Sequence, residues 1–164
     1  MQFYRHLAPI KAMTFDLDDT LYDNRPVIRQ VEASMAAWLH KYHPISATQP
    51  HRWWNQIKRQ VAREDDWLLN DVTLWRHRQI EHGLSLLGYE DDQAKRAADD
   101  VIEEVLRLRS DFTVPDEAHR VLTLLAERLP LVAITNGNVD VERIGLDGYF
   151  SLVLKAGPDG YAKH

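Results

Sequence analysis

Between residues 24 and 111 the chain offers no stretch that reads as a β-strand, and this long helical block starts directly after the acidic cluster Asp16-Leu17-Asp18-Asp19-Thr20. Strands are legible only on either side of it. Ile10 to Phe15 reads as a buried strand running into a polar loop, and Leu131 to Thr135 and Tyr149 to Leu154 form two further runs after the block. One helix, with Ala118, Val121, Leu122 and Leu125 on a single face, precedes the second run, and the short segment Val139 to Leu146 is expected to supply another. The order is strand, helical insertion, helix, strand, helix, strand. Such alternation specifies an α/β fold with a parallel sheet and right-handed crossovers. The insertion, 24–111, separates a core segment at 1–23 from a second core segment at 112–164. Placed there, it stands over the C-terminal ends of the strands, where open α/β sheets bind ligands.

The block resolves into four helices. Val27, Val31, Met35, Trp38 and Tyr42 recur at helical spacing behind a cap at Asp23 or Asn24, with Pro26 in the first turn. Trp54, Ile57 and Val61 mark a second helix, and Val72, Trp75, Ile80, Leu84 and Leu87 a third that Gly88 closes. The fourth runs through Ala94, Ala98, Val101, Val105 and Leu108 and opens on Glu90-Asp91-Asp92.

Composition removes several functional classes. Of 164 residues, 45% are hydrophobic and 27% charged, which is the soluble globular norm. The net charge of −5 and the scattered Lys and Arg leave no basic stripe for a phosphate backbone, so no nucleic-acid partner is expected. The absence of cysteine excludes disulfides, thiolate nucleophiles and cysteine-held zinc, and fits a reducing cytoplasm. Met1 to Ile10 has no continuous apolar segment of the signal-peptide kind, and no stretch approaches the ~20 apolar residues of a membrane span.

Asp16 and Asp18 lie where the first strand gives way to its loop. A bare Asp-x-Asp reads as a solvated acidic turn; behind a strand, two such carboxylates suit phosphoryl transfer. One attacks phosphorus, and the other protonates the leaving oxygen and then activates water. A hard cation such as Mg²⁺ offsets the charge of substrate and carboxylates. Thr135 ends the second strand ahead of Asn136 and Gly137, so its hydroxyl and the N–H groups after it face the same crevice and can hold a phosphoryl oxygen.

Phe15-Asp-Leu-Asp-Asp-Thr-Leu-Tyr22 resembles the first motif of the haloacid dehalogenase superfamily, and Ile134-Thr-Asn-Gly137 resembles its second. The insertion resembles the helical cap of that superfamily's subfamily I, and the likeness runs over the whole chain. The resemblance implies a Rossmann-like core carrying an all-helical cap, and a Mg²⁺-dependent phosphatase that hydrolyses a small phosphate ester through an aspartyl-phosphate. It implies Asp16 as nucleophile and Asp18 as acid/base, with Mg²⁺ held by Asp16 and by the Asp18 backbone carbonyl, and phosphate bound by Thr135, Asn136 and Gly137. Ala156-Gly-Pro158 followed by Lys163 extends it: Lys163 stands where the third-motif lysine neutralises nucleophile and phosphate, with His164 in place of the family's following proline. Asp16 to Pro26 and Val132 to Asn138 resemble, more narrowly, family phosphatases acting on flavin mononucleotide (FMN) and on 5-amino-6-(5-phosphoribitylamino)uracil, which implies a role in riboflavin biosynthesis.

The family's fourth motif, an acidic cluster completing the magnesium site, would follow Lys163, and three strands are legible where a sheet has ~5–6. In the family's strand order of five, four, one, two, three, the first strand pairs with the fourth. The resemblance therefore implies that a chain ending at His164 exposes that edge to self-association and is inactive alone, persisting at most as an interaction module. Two enzymatic alternatives share the nucleophile: a dehalogenase, which needs no acid/base at Asp18, and a phosphomutase, which uses the same pair. His40 with His43 and His77 with His82 lack paired-ligand spacing and read as surface or satisfied histidines. Trp38, Trp53, Trp54, Trp67 and Trp75 crowd into the insertion as its core, with one or two available to stack on a substrate ring. Arg76 and Arg78 read equally as solvated face or substrate clamp.

Overall fold

A computed structural model describes residues 9–163. The segment before Pro9, on which most of the signal-peptide reading falls, and His164 lie outside the described residues. Strands β1 (Met13–Phe15), β2 (Leu131–Thr135) and β3 (Leu152–Lys155) form a three-stranded parallel sheet in the order β1-β2-β3. Met13 pairs with Leu131 and Phe15 with Ala133, while Val132 pairs with Leu152 and Thr135 with Lys155. Parallel pairing in these registers brings the C-terminal ends of all three strands to one edge of the sheet, and the loops after them share a crevice.

Helices α1 (Asn24–Tyr42), α2 (His51–Glu64), α3 (Val72–Leu86) and α4 (Asp91–Arg109) fill the inserted stretch, and α5 (Asp116–Ala126) leads into β2. Local chemistry sets their starts. The Asp23 carboxylate accepts from the Arg25 N–H to cap α1, and Asp71 accepts from the N–H groups of Thr73 and Leu74 to cap α3. Two cores result. Leu17, Tyr22, Leu122, Leu131, Ala133 and Leu146 pack about the sheet. Val31, Leu39, Ile80, Leu84, Ala98, Val101 and Val105 pack among the inserted helices, beside a smaller cluster of Ile57, Val61 and Leu68. Among the described residues no helix is long and apolar enough to cross a membrane.

The structure corrects three expectations. β1 is shorter than Ile10 to Phe15 and only half-buried, with Thr14 exposed and Ile10 60% exposed, because β2 is its sole strand neighbour among the described residues. Val139 to Leu146 is not a helix. The Asp140 carboxylate accepts from the Glu142 and Arg143 N–H groups, and Gly145, at φ +72°, turns the chain left-handed after a single turn. β3 starts at Leu152 rather than Tyr149, which sits in a short 3₁₀ turn, Asp147–Tyr149.

Candidate active site

Asp16 follows the last residue of β1, and Thr135 is the last residue of the neighbouring β2, so the two motifs meet at the same sheet edge. Beyond β3 the chain doubles back. Gly157 and Gly160 bridge each other in a tight turn, both at positive φ, and a Cβ on Gly157 would collide with the Asp71 carboxylate at 2.6 Å. The return segment carries Lys163 to the crevice. Its main chain is clamped by Asn136, whose Nδ2 donates to the Lys163 carbonyl at 2.9 Å and whose Oδ1 accepts from the Lys163 N–H at 2.8 Å. The Lys163 ammonium then donates to Asp16 Oδ1 at 2.7 Å and to the Ile134 carbonyl.

Asp18 is held differently. Leu17 between the two carboxylates is fully buried, which anchors the loop and leaves both of its neighbours facing the crevice side. Asp19 adopts a left-handed φ of 56°, a conformation Asp tolerates, and its Oδ1 accepts from the Asn24 N–H at 2.8 Å to tie the loop to α1. Asp18 Oδ1 accepts from the Tyr22 hydroxyl at 2.6 Å and from Arg109 Nη2 at 2.5 Å. Burial, then the hydrogen bond to Asp18, raises the Tyr22 pKa, so the hydroxyl keeps its proton and remains a donor. Arg109 is 1% exposed and sits in the last turn of α4; its Nη1 has no partner among the described residues.

Neither Arg109 nor Tyr22 stands out in the sequence as a site residue. A signal for Arg109 was present: four residues after Val105, it continues the apolar stripe Ala94, Ala98, Val101, Val105, and a cation in phase with a buried face requires a partner.

The second motif is placed as the sequence predicts, but its groups are partly engaged. Thr135 is buried, and its Oγ1 accepts from the Gly137 N–H at 3.0 Å. A Cβ on Gly137 would run into Asp18 Oδ2, so glycine there is a condition of the close approach between the two motifs. The Asn136 side chain is spent on positioning Lys163. The inserted helices reach the crevice through the start of α3, where Asn138 Nδ2 donates to Thr73 Oγ1 at 3.0 Å and Asn70 Oδ1 accepts from the Ala162 N–H at 2.9 Å.

Other candidates lie elsewhere. His77 bonds Asp99, His43 bonds Tyr89 and His82 lies against Gln60. Arg78 pairs with Glu81 on an exposed face, whereas Arg76 is half-buried. Trp38 and Trp54 pack against the helical core and Trp53 and Trp75 against the smaller cluster, but Trp67 is 37% exposed and edge-stacked on Tyr161. Among the described residues no group of three or more His, Asp or Glu gathers as a metal site. Asp18 Oδ1 is engaged by Arg109 and Tyr22 and Asp16 Oδ1 by Lys163, and the oxygens that the resemblance assigns to a metal are the Asp16 carboxylate and the Asp18 carbonyl. That donor set fits Mg²⁺, which is commonly bound through one or two carboxylates with water and substrate phosphate completing its shell.

Sheet, inserted helices and crevice together define a Rossmann-like α/β hydrolase with its polar groups at the strand ends. The chain belongs to the haloacid dehalogenase-like hydrolase family, which it matches over residues 10–164. It is 41% identical over 163 residues to the 5-amino-6-(5-phospho-D-ribitylamino)uracil phosphatase YigB of Escherichia coli strain K12, covering 99% of this chain and 68% of that protein. Among solved structures it is similar to a 2-haloacid dehalogenase from Pseudomonas syringae pv. Tomato DC3000, at 36% identity and a TM-score of 0.90 over 94% of this chain and 67% of that one. The HAD-hydrolase YfnB from Bacillus subtilis, at 17% identity and a TM-score of 0.55 over 93% of this chain and 68% of that one, shares the fold.

Proposed function

We propose that the protein is a phosphatase that hydrolyses a small phosphate ester through a phosphorylated Asp16, with residues 24–111 as its cap. The observation that carries this reading is the pairing of two loop aspartates with two separate cations, Lys163 on Asp16 and Arg109 on Asp18. With Oδ1 of Asp16 held by Lys163, Oδ2 is the oxygen that attacks phosphorus as the ester P–O bond breaks. Asp18 gives its proton to the leaving oxygen, then takes one from the water that attacks the phosphoryl group and releases Asp16. Arg109 and Tyr22 both bond Asp18 Oδ1, which leaves Oδ2, beside Gly137, as the oxygen that carries the proton. Lys163 and the groups about Thr135 meet the negative charge of the phosphoryl group. Mg²⁺ on the Asp16 carboxylate and the Asp18 carbonyl would supply further positive charge there.

The substrate class follows from the Escherichia coli relative, whose name specifies a ribitylaminouracil phosphate. FMN or 5-amino-6-(5-phosphoribitylamino)uracil, in riboflavin biosynthesis, is the proposed substrate. The cysteine-free chain supports a cytoplasmic setting. A dehalogenase is the second reading, favoured by the likeness to the 2-haloacid dehalogenase from Pseudomonas syringae at 36% identity. Asp18 and its two partners favour the phosphatase, since a dehalogenase has no leaving oxygen to protonate. Phosphate release from p-nitrophenyl phosphate and FMN, assayed beside halide release from 2-chloropropionate, separates the two. Phosphate release that Asp16→Asn abolishes is the expected result; halide release alone would overturn the reading.

A further inference from the structure

One side of α5 serves neither the crevice nor the core of the sheet. Leu122 on this helix is fully buried, and Ala118 and Leu125 pack beside it against the sheet core, so one face is spent on the fold. Glu117, Val121, Leu124 and Arg128 follow at spacings of four, three and four, which sets them in a single stripe on another side. Arg128 lies in the turn just past the end of α5 but stays in phase. Glu127 keeps helical backbone angles, φ −65° and ψ −19°, and the Arg128 N–H returns to the Leu125 carbonyl at 3.0 Å. Val121 is 37% and Leu124 47% exposed, and both charged ends of the stripe are exposed as well. Two branched apolar side chains thus stand together at the surface between an acid and a base. Glu117 pairs with the exposed Arg120 of its own helix, and Arg128 forms no ion pair among the described residues.

The order acid, apolar, apolar, base is complementary to itself when reversed. With a twofold axis passing between Val121 and Leu124, an antiparallel copy sets the partner's Leu124 on Val121 and the partner's Arg128 on Glu117, and both contacts repeat across the axis. The antiparallel sense also places each helix N-terminus beside the other's C-terminus, where the two macrodipoles attract. A parallel copy would instead oppose like charges at both ends. We propose that this stripe is the contact of a twofold homodimer, α5 of one copy packed antiparallel on α5 of a second. From Glu117 to Arg128 the stripe is roughly 17 Å long at 1.5 Å per residue. One helix-on-helix contact of that length is small beside the ~1,200–2,000 Å² of stable interfaces. The dimer is therefore weak and concentration-dependent, and added salt weakens it further by screening the end pairs. None of this depends on the phosphoryl chemistry.

Sedimentation velocity over a concentration series tests the contact. The parent protein should pass from monomer to dimer and no further, because a twofold contact closes on itself. Glu117→Arg sets arginine against arginine and Arg128→Glu sets glutamate against glutamate, so either alone should weaken dimerisation by about tenfold or more. Leu124→Gln should weaken it too, by removing the apolar contact at the axis. All three positions are exposed, and far-UV circular dichroism verifies that the variants fold. An equimolar mixture of Glu117→Arg and Arg128→Glu should dimerise as well as the parent, since both end pairs then join opposite charges again. A parent that stays monomeric at high concentration would overturn the proposal. So would association that the single variants leave intact, or two defective variants that fail to restore each other when mixed.

Discussion

Asp16 and Asp18 are two residues apart, yet their partners give them different structural weight. The Asp16–Lys163 pair has side chains 43% and 36% exposed, so replacing Asp16 by Asn should change stability by only about 0–1 kcal/mol. Asp18→Asn strands the guanidinium of Arg109, which is 1% exposed, and should cost about 3 kcal/mol. Both variants should lose turnover, but urea denaturation should shift only for Asp18→Asn. Coincident unfolding curves for the two variants would mean that the Arg109 contact carries no weight in the fold. For Asp18→Asn the loss of turnover should also be steeper on an alkyl phosphate than on p-nitrophenyl phosphate, whose leaving group needs little protonation. Asp16, Asp18, Thr135 and Lys163 were legible because each stands at a strand end or in a short motif. Arg109 was not, since its partner is 91 residues away and a helical stripe shows that a residue is buried without showing what it meets.

At the level of elements, the start of α3 links the inserted helices to the crevice. Asp71 caps that helix through the Thr73 and Leu74 N–H groups, and its carboxylate also packs against Gly157 in the loop that delivers Lys163. Asp71→Ala should therefore cost about 1 kcal/mol as a lost cap. It should also lower kcat/KM severalfold by loosening the Lys163 loop. Lys95→Ala, which removes the exposed Lys95–Asp99 pair on α4 and touches no residue of that loop, is the control and should leave kcat/KM unchanged. Equal kcat/KM in both variants would detach the α3 start from the site. The helices α1 to α5 were legible from apolar spacing and caps, because periodicity over a dozen or more residues outweighs local irregularity. The segment after Asn138 misled because the alternation of strand and helix called for a helix between β2 and β3, while Asp140 and Gly145 turn the backbone out of a helix after one turn.

Across the whole molecule, alternation of strand and helix sufficed to fix a parallel sheet, and the strand-free stretch, which we propose is an inserted unit, packs buried clusters among its own helices. Contacts between the two cores were out of reach, because they depend on single side chains such as Asn70, Thr73 and Ser110 meeting distant loops. The central claim is that Asp16 receives the phosphoryl group, and the Asp18→Asn variant offers the most direct view of it, because the nucleophile survives while the base that activates water is lost. After incubation with p-nitrophenyl phosphate and an acid quench, peptide mass spectrometry should find one added phosphoryl group on Asp16. An unmodified Asp16 beside a phosphorylated residue elsewhere, or turnover that persists in Asp16→Asn, would contradict it.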